Sequence, residues 1–250
     1  MLLEITQIAA NDYVGFTFFI GYMAMAAAAV FFFVERSSVD AKWKMSLLVS
    51  ALITGIAAVH YAYMRNYWLG TMDPTTGLGD SPTFFRYVDW TLTVPLMCVE
   101  FYLLTRAAGA TKSLLWKLIF ASTWMLVCGY VGEAGLFGSG TSYSVTWGVL
   151  STLGYLYILH CVWLGEVAEL ADSSGSEVVK KGVRALAWFV LVGWAIYPIG
   201  YMCMDGGWLN TAFNWGSENV DLWYNLADAI NKIGFGLVVY NIAINESNKK

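Results

Sequence analysis

The sequence predicts an all-α protein, a bundle of seven transmembrane helices with the N-terminus outside and the C-terminus in the cytoplasm. Three observations carry this. Of the 250 residues, 58% are hydrophobic and only 13% charged, against roughly 25% charged in soluble domains. Several apolar runs exceed the roughly 18 residues that mark a membrane-crossing helix. Lys and Arg are also distributed asymmetrically among the connections, which sets orientation.

The first span is expected over Asp12–Val34, followed by Arg36, Lys42 and Lys44. The second runs over Met45–Trp68 and leads into a turn-rich connection, Asn66–Pro82. The third covers Thr83–Thr105 and the fourth Ser113–Gly132, with Arg106, Lys112 and Lys117 around their connection. The fifth covers Tyr143–Glu166 and is followed by a longer connection, Val167–Lys181. The sixth, Gly182–Met204, is flanked by Lys180, Lys181 and Arg184; the seventh, Val220–Ile244, is followed by Lys249 and Lys250. Eleven of the fourteen basic residues thus fall on one side, the expected cytoplasmic side. Pro95 and Pro198 lie inside spans and are expected to kink them.

No internal repeat appears, so residues 1–250 read as one membrane domain with lipid as its environment. The net charge of −4 gives no sign of a nucleic-acid partner. Cys98, Cys128, Cys161 and Cys203 lie in or at the ends of spans, as small apolar packing groups; they form no metal-ligand spacing and no disulfide framework. The start, Met1-Leu2-Leu3-Glu4, lacks the basic region of a signal peptide. Either the first span inserts directly or a leader has been removed.

Arg65 lies at the opposite end of the second span, and the two basic residues left over, Arg86 and Lys232, fall inside the membrane. A charge at membrane depth is costly unless paired or used, so each marks a functional site. Lys232 has Asp228 one helical turn before it and reads either as a managed, reactive amine or as part of a structural ion pair. In the third span Asp89 and Thr93 share a face, and Arg86 lies near it. Glu100, eleven residues beyond Asp89, returns to that face roughly 16 Å further along the axis. Counting charges, Lys232 and Arg86 are expected to balance Asp89 and Asp228. Glu100 lies outside this cluster among Leu, Met, Cys, Val and Phe, where burial favours the neutral acid. One ionised and one neutral carboxyl on opposite sides of a lysine read as a proton acceptor and a proton donor. His60, in the second span at the depth of Asp89, is a packed histidine or a partner of that carboxylate. Glu133 and Asp205 are expected to be solvated or capping groups. Glu218 and Asp221 are acids near the last connection without an assigned role.

At these residues the chain resembles the microbial rhodopsins, in particular the proteorhodopsin and xanthorhodopsin group of light-driven proton pumps. The motifs are Arg86-Tyr87-Val88-Asp89-Trp90 with Thr93-Val94-Pro95-Leu96, and Tyr224-Asn225-Leu226-Ala227-Asp228 with Asn231-Lys232. Further pieces are Gly193-Trp194-Ala195-Ile196-Tyr197-Pro198, Gly129-Tyr130-Val131-Gly132-Glu133-Ala134-Gly135 and His60-Tyr61-Ala62-Tyr63-Met64-Arg65. The resemblance covers nearly all seven spans. It implies all-trans retinal bound to Lys232 as a protonated Schiff base, Asp89 as counterion and proton acceptor, and Asp228 as second counterion. It further implies Glu100 as cytoplasmic donor, Thr93 completing the proton-pump pattern, Arg86 gating release, and His60 paired with Asp89.

Trp90, Trp194, Tyr197 and Tyr201 read from the sequence alone as packing or interface aromatics; the resemblance makes them pocket walls. It also sets Ser151 and Thr152 near the ionone ring and Met97 at the position that tunes colour. Gly148 resembles the glycine that opens a carotenoid window in xanthorhodopsin, and reads equally as a site of close helix packing. The family implies a homo-oligomer, a pentamer or hexamer, although Phe19 replaces a Trp near the subunit contact. The connection Asn66–Pro82 is longer than in the best-known proteorhodopsins, as an inert loop or a lid. The competing readings are a photosensory rhodopsin signalling through a partner protein, and a retinal-free seven-helix receptor or transporter. Met97 is apolar and polarizable, so the pigment is expected to absorb green light; a purified, retinal-loaded protein absorbing in the blue contradicts this.

Overall fold

The computed structural model describes residues 11–204, 207–213 and 217–248. The N-terminal four residues, Asp205, and Lys249 and Lys250 lie outside these residues, as does the side chain of Glu218. The described helices are α1 (Tyr13–Glu35), α2 (Lys44–Gly70), α3 (Thr83–Thr105), α4 (Lys112–Ala134), α5 (Thr141–Trp163), α6 (Glu166–Asp172), α7 (Glu177–Trp188), α8 (Ile196–Cys203), α9 (Asn210–Phe213) and α10 (Ser217–Ser247). Among the described residues, seven helical segments are long and apolar enough to cross a membrane. Each packs on its chain neighbour, and α10 closes the ring by contacting α1, α2 and α7.

Local chemistry sets the helix ends. The Asp12 carboxylate accepts the Gly15 N–H at 2.7 Å and caps α1. It also accepts the Trp68 indole N–H at 3.1 Å, tying the start of α1 to the end of α2. Thr111 caps α4 and Ser176 caps α7 through their hydroxyls. α4 stops at Gly135, whose φ of +62° suits a residue without Cβ.

The expected connection Val167–Lys181 is mostly helical. After a break at Leu164 and Gly165 the fifth span continues as α6, and the sixth begins at Glu177, five residues before the expected Gly182. The cap from Ser176 fixes that start, and Gly175 at φ +71° makes the turn. The sixth span is also irregular where Pro198 alone does not explain it. Phe189–Gly193 forms a π-helical turn in which Trp194 N bonds Phe189 O at 2.9 Å. Pro198 instead occupies the first turn of α8, where the missing N–H is tolerated. Pro95 lies inside a continuous α3.

The largest apolar cluster fills the half of the bundle away from the N-terminus, with Met97, Cys98, Phe101 and Leu104 of α3 packed among Leu186, Val190, Phe235 and Val239. The four cysteines are free and buried. The connection after α2 is a compact turn: Asp73 N bonds Leu78 O and Asp80 N bonds the Thr71 hydroxyl, both at 2.9 Å. Asp12→Ala removes a cap and the Trp68 tie together. Its expected cost is about 1–2 kcal/mol, read as a lower midpoint of thermal denaturation in detergent.

Candidate functional site at Lys232

The periodicity of α3 and α10 brings the sequence-selected charges together. Lys232 is the only buried lysine among the described residues. Its Nζ lies 2.6 Å from Asp89 Oδ2 and 2.5 Å from Asp228 Oδ2, and all three side chains are essentially inaccessible to solvent. A buried ammonium is tolerable because it is paired at this range and hydrogen-bonded.

The two carboxylates are held differently. Asp228 Oδ1 accepts from the Trp90 indole at 3.3 Å and the Tyr197 hydroxyl at 3.2 Å. Asp89 Oδ1 has no hydrogen-bond partner among the described residues. His60 Nδ1 lies 3.5 Å from it. That is longer than a good hydrogen bond, and the same nitrogen lies 3.0 Å from Ile56 O. Thr93 is on the expected face, but its hydroxyl bonds the backbone carbonyl of Asp89 at 3.0 Å, not the carboxylate.

Arg86 departs from the expected charge count. It is not part of the Asp89–Asp228 balance. Nη2 pairs with Asp221 Oδ1 at 2.7 Å and Nη1 donates to Asn225 Oδ1 at 3.0 Å. The physical reason is register: Asp221 and Asn225 lie one turn apart on α10 and offer the guanidinium fork two acceptors at once. Glu133 also differs from a solvated group. It is half-buried, and its carboxylate accepts from Tyr87 at 2.8 Å and Thr83 at 3.4 Å. The connection before α3 takes part as well, since Ser81 donates to Asp221 at 3.0 Å.

Glu100 is fully buried in the apolar half of the bundle, away from the lysine cluster. Ser50 donates to its Oε1 at 3.0 Å, and Oε2 has no hydrogen-bond partner among the described residues. Ser50 was not singled out from sequence. The usable signal was Ser46 and Ser50, one turn apart on a single face of an apolar helix.

A cavity runs from Lys232 between α3, α4, α5 and α8. Trp90, Met97, Trp194, Tyr197 and Tyr201 line it, with Ser151 and Thr152 on the α5 side. Ser151 bonds Met125 O, Thr152 bonds Gly148 O, and the Tyr201 hydroxyl bonds Ser144 O. Gly148 borders this cavity and also an apolar groove on the bundle surface with Val149 and Leu153. A Cβ there would stand 2.8 Å from Tyr201 Cε1, so close packing already requires the glycine. Asn231, beside Lys232, donates to Gly193 O at 3.0 Å. The Tyr155 hydroxyl donates to Val190 O and Leu191 O at 3.1 and 3.0 Å. Carbonyls of the π turn are thus stapled to the helices on either side.

Residues 12–246 match the model of the bacteriorhodopsin-like protein family. The chain belongs to that family. It is 43% identical over 244 residues to a green-light absorbing proteorhodopsin of Gamma-proteobacterium EBAC31A08, covering 96% of this chain and 90% of the relative. It is 45% identical over 239 residues to a blue-light absorbing proteorhodopsin of Gamma-proteobacterium Hot 75m4, covering 95% and 89%. The solved structure of xanthorhodopsin, titled a light-driven ion pump with dual chromophore, superposes with a TM-score of 0.77 at 31% identity, covering 97% of each chain. Membership in a rhodopsin family implies retinal on a lysine, and the residues present fit it. This bacteriorhodopsin-like chain has one buried lysine among the described residues, carboxylates at its Nζ, and an aromatic-walled cavity leading away from it. Ser50→Ala leaves the Glu100 carboxyl without its donor. The visible band is expected to stay in place while the late, proton-returning phase of the photocycle changes severalfold; a flash experiment on purified pigment reads both.

Proposed function

We propose that this chain is a light-driven outward proton pump of the bacterial inner membrane. It forms one retinal-binding domain over residues 1–250, with its N-terminus outside. The observation that carries the reading is the placement of two acids on one face of α3 about a single buried amine. Asp89 touches Lys232 Nζ, and Glu100 lies apart in the apolar half. All-trans retinal, joined to Lys232 Nζ as a protonated Schiff base, supplies visible absorption and photoisomerisation.

The chain's own groups account for direction. Asp89 and Asp228 hold the positive charge on Nζ until light disturbs the contact. Asp228 Oδ1 is occupied by donors from Trp90 and Tyr197. Asp89 Oδ1 has no hydrogen-bond partner among the described residues, which supports Asp89 as the acceptor of the Nζ proton. Glu100, neutral among apolar side chains, returns a proton to Nζ from the cytoplasmic side. His60 orients against Asp89, Thr93 fixes the α3 backbone at that residue, and Arg86 governs the outer exit. Trp90, Trp194, Tyr197, Tyr201, Met97, Ser151 and Thr152 shape the cavity that holds the polyene.

Illumination of retinal-supplied cells is expected to acidify an unbuffered medium, with the signal lost on adding a protonophore. A photocycle of many seconds without net transport would favour the photosensory reading, and absence of a visible band after adding retinal would favour a retinal-free protein. Lys232→Ala is expected to abolish the pigment. Glu100→Gln is expected to keep the colour and slow the late photocycle, by about 100-fold or more for loss of a positioned proton donor; normal late kinetics would remove the donor assignment. A carotenoid antenna beside Gly148 and a pentameric or hexameric assembly extend this reading. Adding hydroxylated carotenoids and measuring energy transfer to retinal tests the first, and the mass of the purified complex tests the second.

A further inference from the structure

The outer end of the bundle holds a chain of hydrogen-bonding groups that the acceptor and donor do not use. Asp221 accepts from Ser81 at 3.0 Å. Ser81 Oγ lies 3.3 Å from Thr83 Oγ1. Thr83 donates to Glu133 at 3.4 Å, and Tyr87 donates to the other Glu133 oxygen at 2.8 Å. Two acids, one on α10 and one on α4, are therefore joined by two hydroxyls at the start of α3. Arg86, three residues before Asp89, meets this chain at Asp221. Beyond Glu133, Ser81 and Thr83 border a cavity of about 320 Å³ with Tyr143 and Ser144.

The proton count within this chain is informative. Each hydroxyl has one hydrogen. Ser81 gives its hydrogen to Asp221 and Thr83 gives its hydrogen to Glu133, so the Ser81–Thr83 contact carries none. That polarity suits two ionised ends. It reverses when Asp221 is protonated, because the acid then donates to Ser81, Ser81 to Thr83, and Thr83 still to Glu133.

We propose that Asp221, Ser81, Thr83 and Glu133 form the proton exit relay of this pump, with Asp221 as its entry acid and Glu133 as its outlet into the outer cavity. The inference rests on the pump reading above. Asp221 takes up the proton that Asp89 loses as Arg86 lets go of it. The Asp221 O–H bond then breaks and a Ser81 O–H bond forms. The former Ser81 hydrogen passes to Thr83, the former Thr83 hydrogen passes to Glu133 Oε1, and Glu133 discharges to the cavity. One proton enters and one leaves, and both hydroxyls end with one hydrogen each. At rest Arg86 Nη2 pairs at 2.7 Å with Asp221 Oδ1, the same oxygen that accepts from Ser81, so the guanidinium holds the entry acid.

Ser81→Ala and Thr83→Val each interrupt the relay while keeping every carboxylate and Arg86. Retinal-loaded protein in liposomes is flashed; visible absorbance follows loss of the Nζ proton, and a pH-sensitive dye follows its arrival in the bulk. Each variant is expected to delay the dye signal about tenfold or more, the effect of losing one positioned proton carrier. The visible maximum and the rate of Nζ deprotonation are expected to stay unchanged. Asp221→Asn is expected to give the same delay, with Asp221→Glu restoring most of the timing. Unmodified dye timing in both Ser81→Ala and Thr83→Val would overturn the relay, as would a delay confined to Glu133→Gln. If the unmodified protein cycles but gives no dye signal, the pump reading falls and takes the relay with it.

Discussion

The ion triad of Lys232 with Asp89 and Asp228 is the constraint on which the rest of the molecule depends. An ammonium and two carboxylates at 2.6 and 2.5 Å are held away from solvent. Removing one partner of such a buried group costs about 3–5 kcal/mol, because the remaining charge is left stranded. The triad carries one excess negative charge, and Arg86 does not cancel it, since Arg86 is matched by Asp221. His60 Nδ1, on a partly exposed side chain, stands 3.5 Å from the Asp89 carboxylate. Two neighbouring ionic units, one at Lys232 and one at Arg86, replace the single neutral cluster expected from counting charges.

The helices are arranged to hold this triad without backbone strain around it. α3 contributes Asp89 and α10 contributes the other two groups, and both are regular where they do so. The irregularity is displaced to the sixth span. The π turn at Phe189–Gly193 exposes carbonyls that a regular helix would satisfy internally. Tyr155 and Asn231 take them up. Asn231 is the residue next to Lys232, so the backbone beside the lysine is tied directly to the π turn. Trp194, directly after that turn, forms a wall of the cavity.

Much of this was legible in the sequence, for a specific reason. In a membrane a charge is costly, so its presence is informative on its own, and helical period then assigns its face. Lys232, Asp89, Asp228 and Glu100 were found this way, and the structure brings the first three together and keeps the fourth apart. What could not be read is pairing between helices. The period of α10 sets Asp221 and Asn225 on one face but does not reveal that Arg86 of α3 meets them. Ser50 was missed because a serine in an apolar helix bonds its own backbone as readily as a neighbour. The start of α7 was misplaced because Glu177, Lys180 and Lys181 read as a polar connection, whereas Ser176 caps them into the first turns of a helix.

Direction in such a device needs inequality between the two acids at the amine, and the structure locates it in their hydrogen bonds. Asp228 is nearer to Nζ by 0.1 Å, a difference too small to choose between them. The donors choose. Trp90 and Tyr197 both spend their polar hydrogen on Asp228, and each such bond to an anion is worth about 1.5–3 kcal/mol. Asp89 Oδ1 has no hydrogen-bond partner among the described residues, and His60 Nδ1 stands 3.5 Å from it. Asp89 belongs to α3, the helix that also carries Arg86 towards one end of the bundle and Glu100 towards the other. The proposed acceptor is therefore the acid that shares a helix with both, and the one that the aromatic donors leave alone.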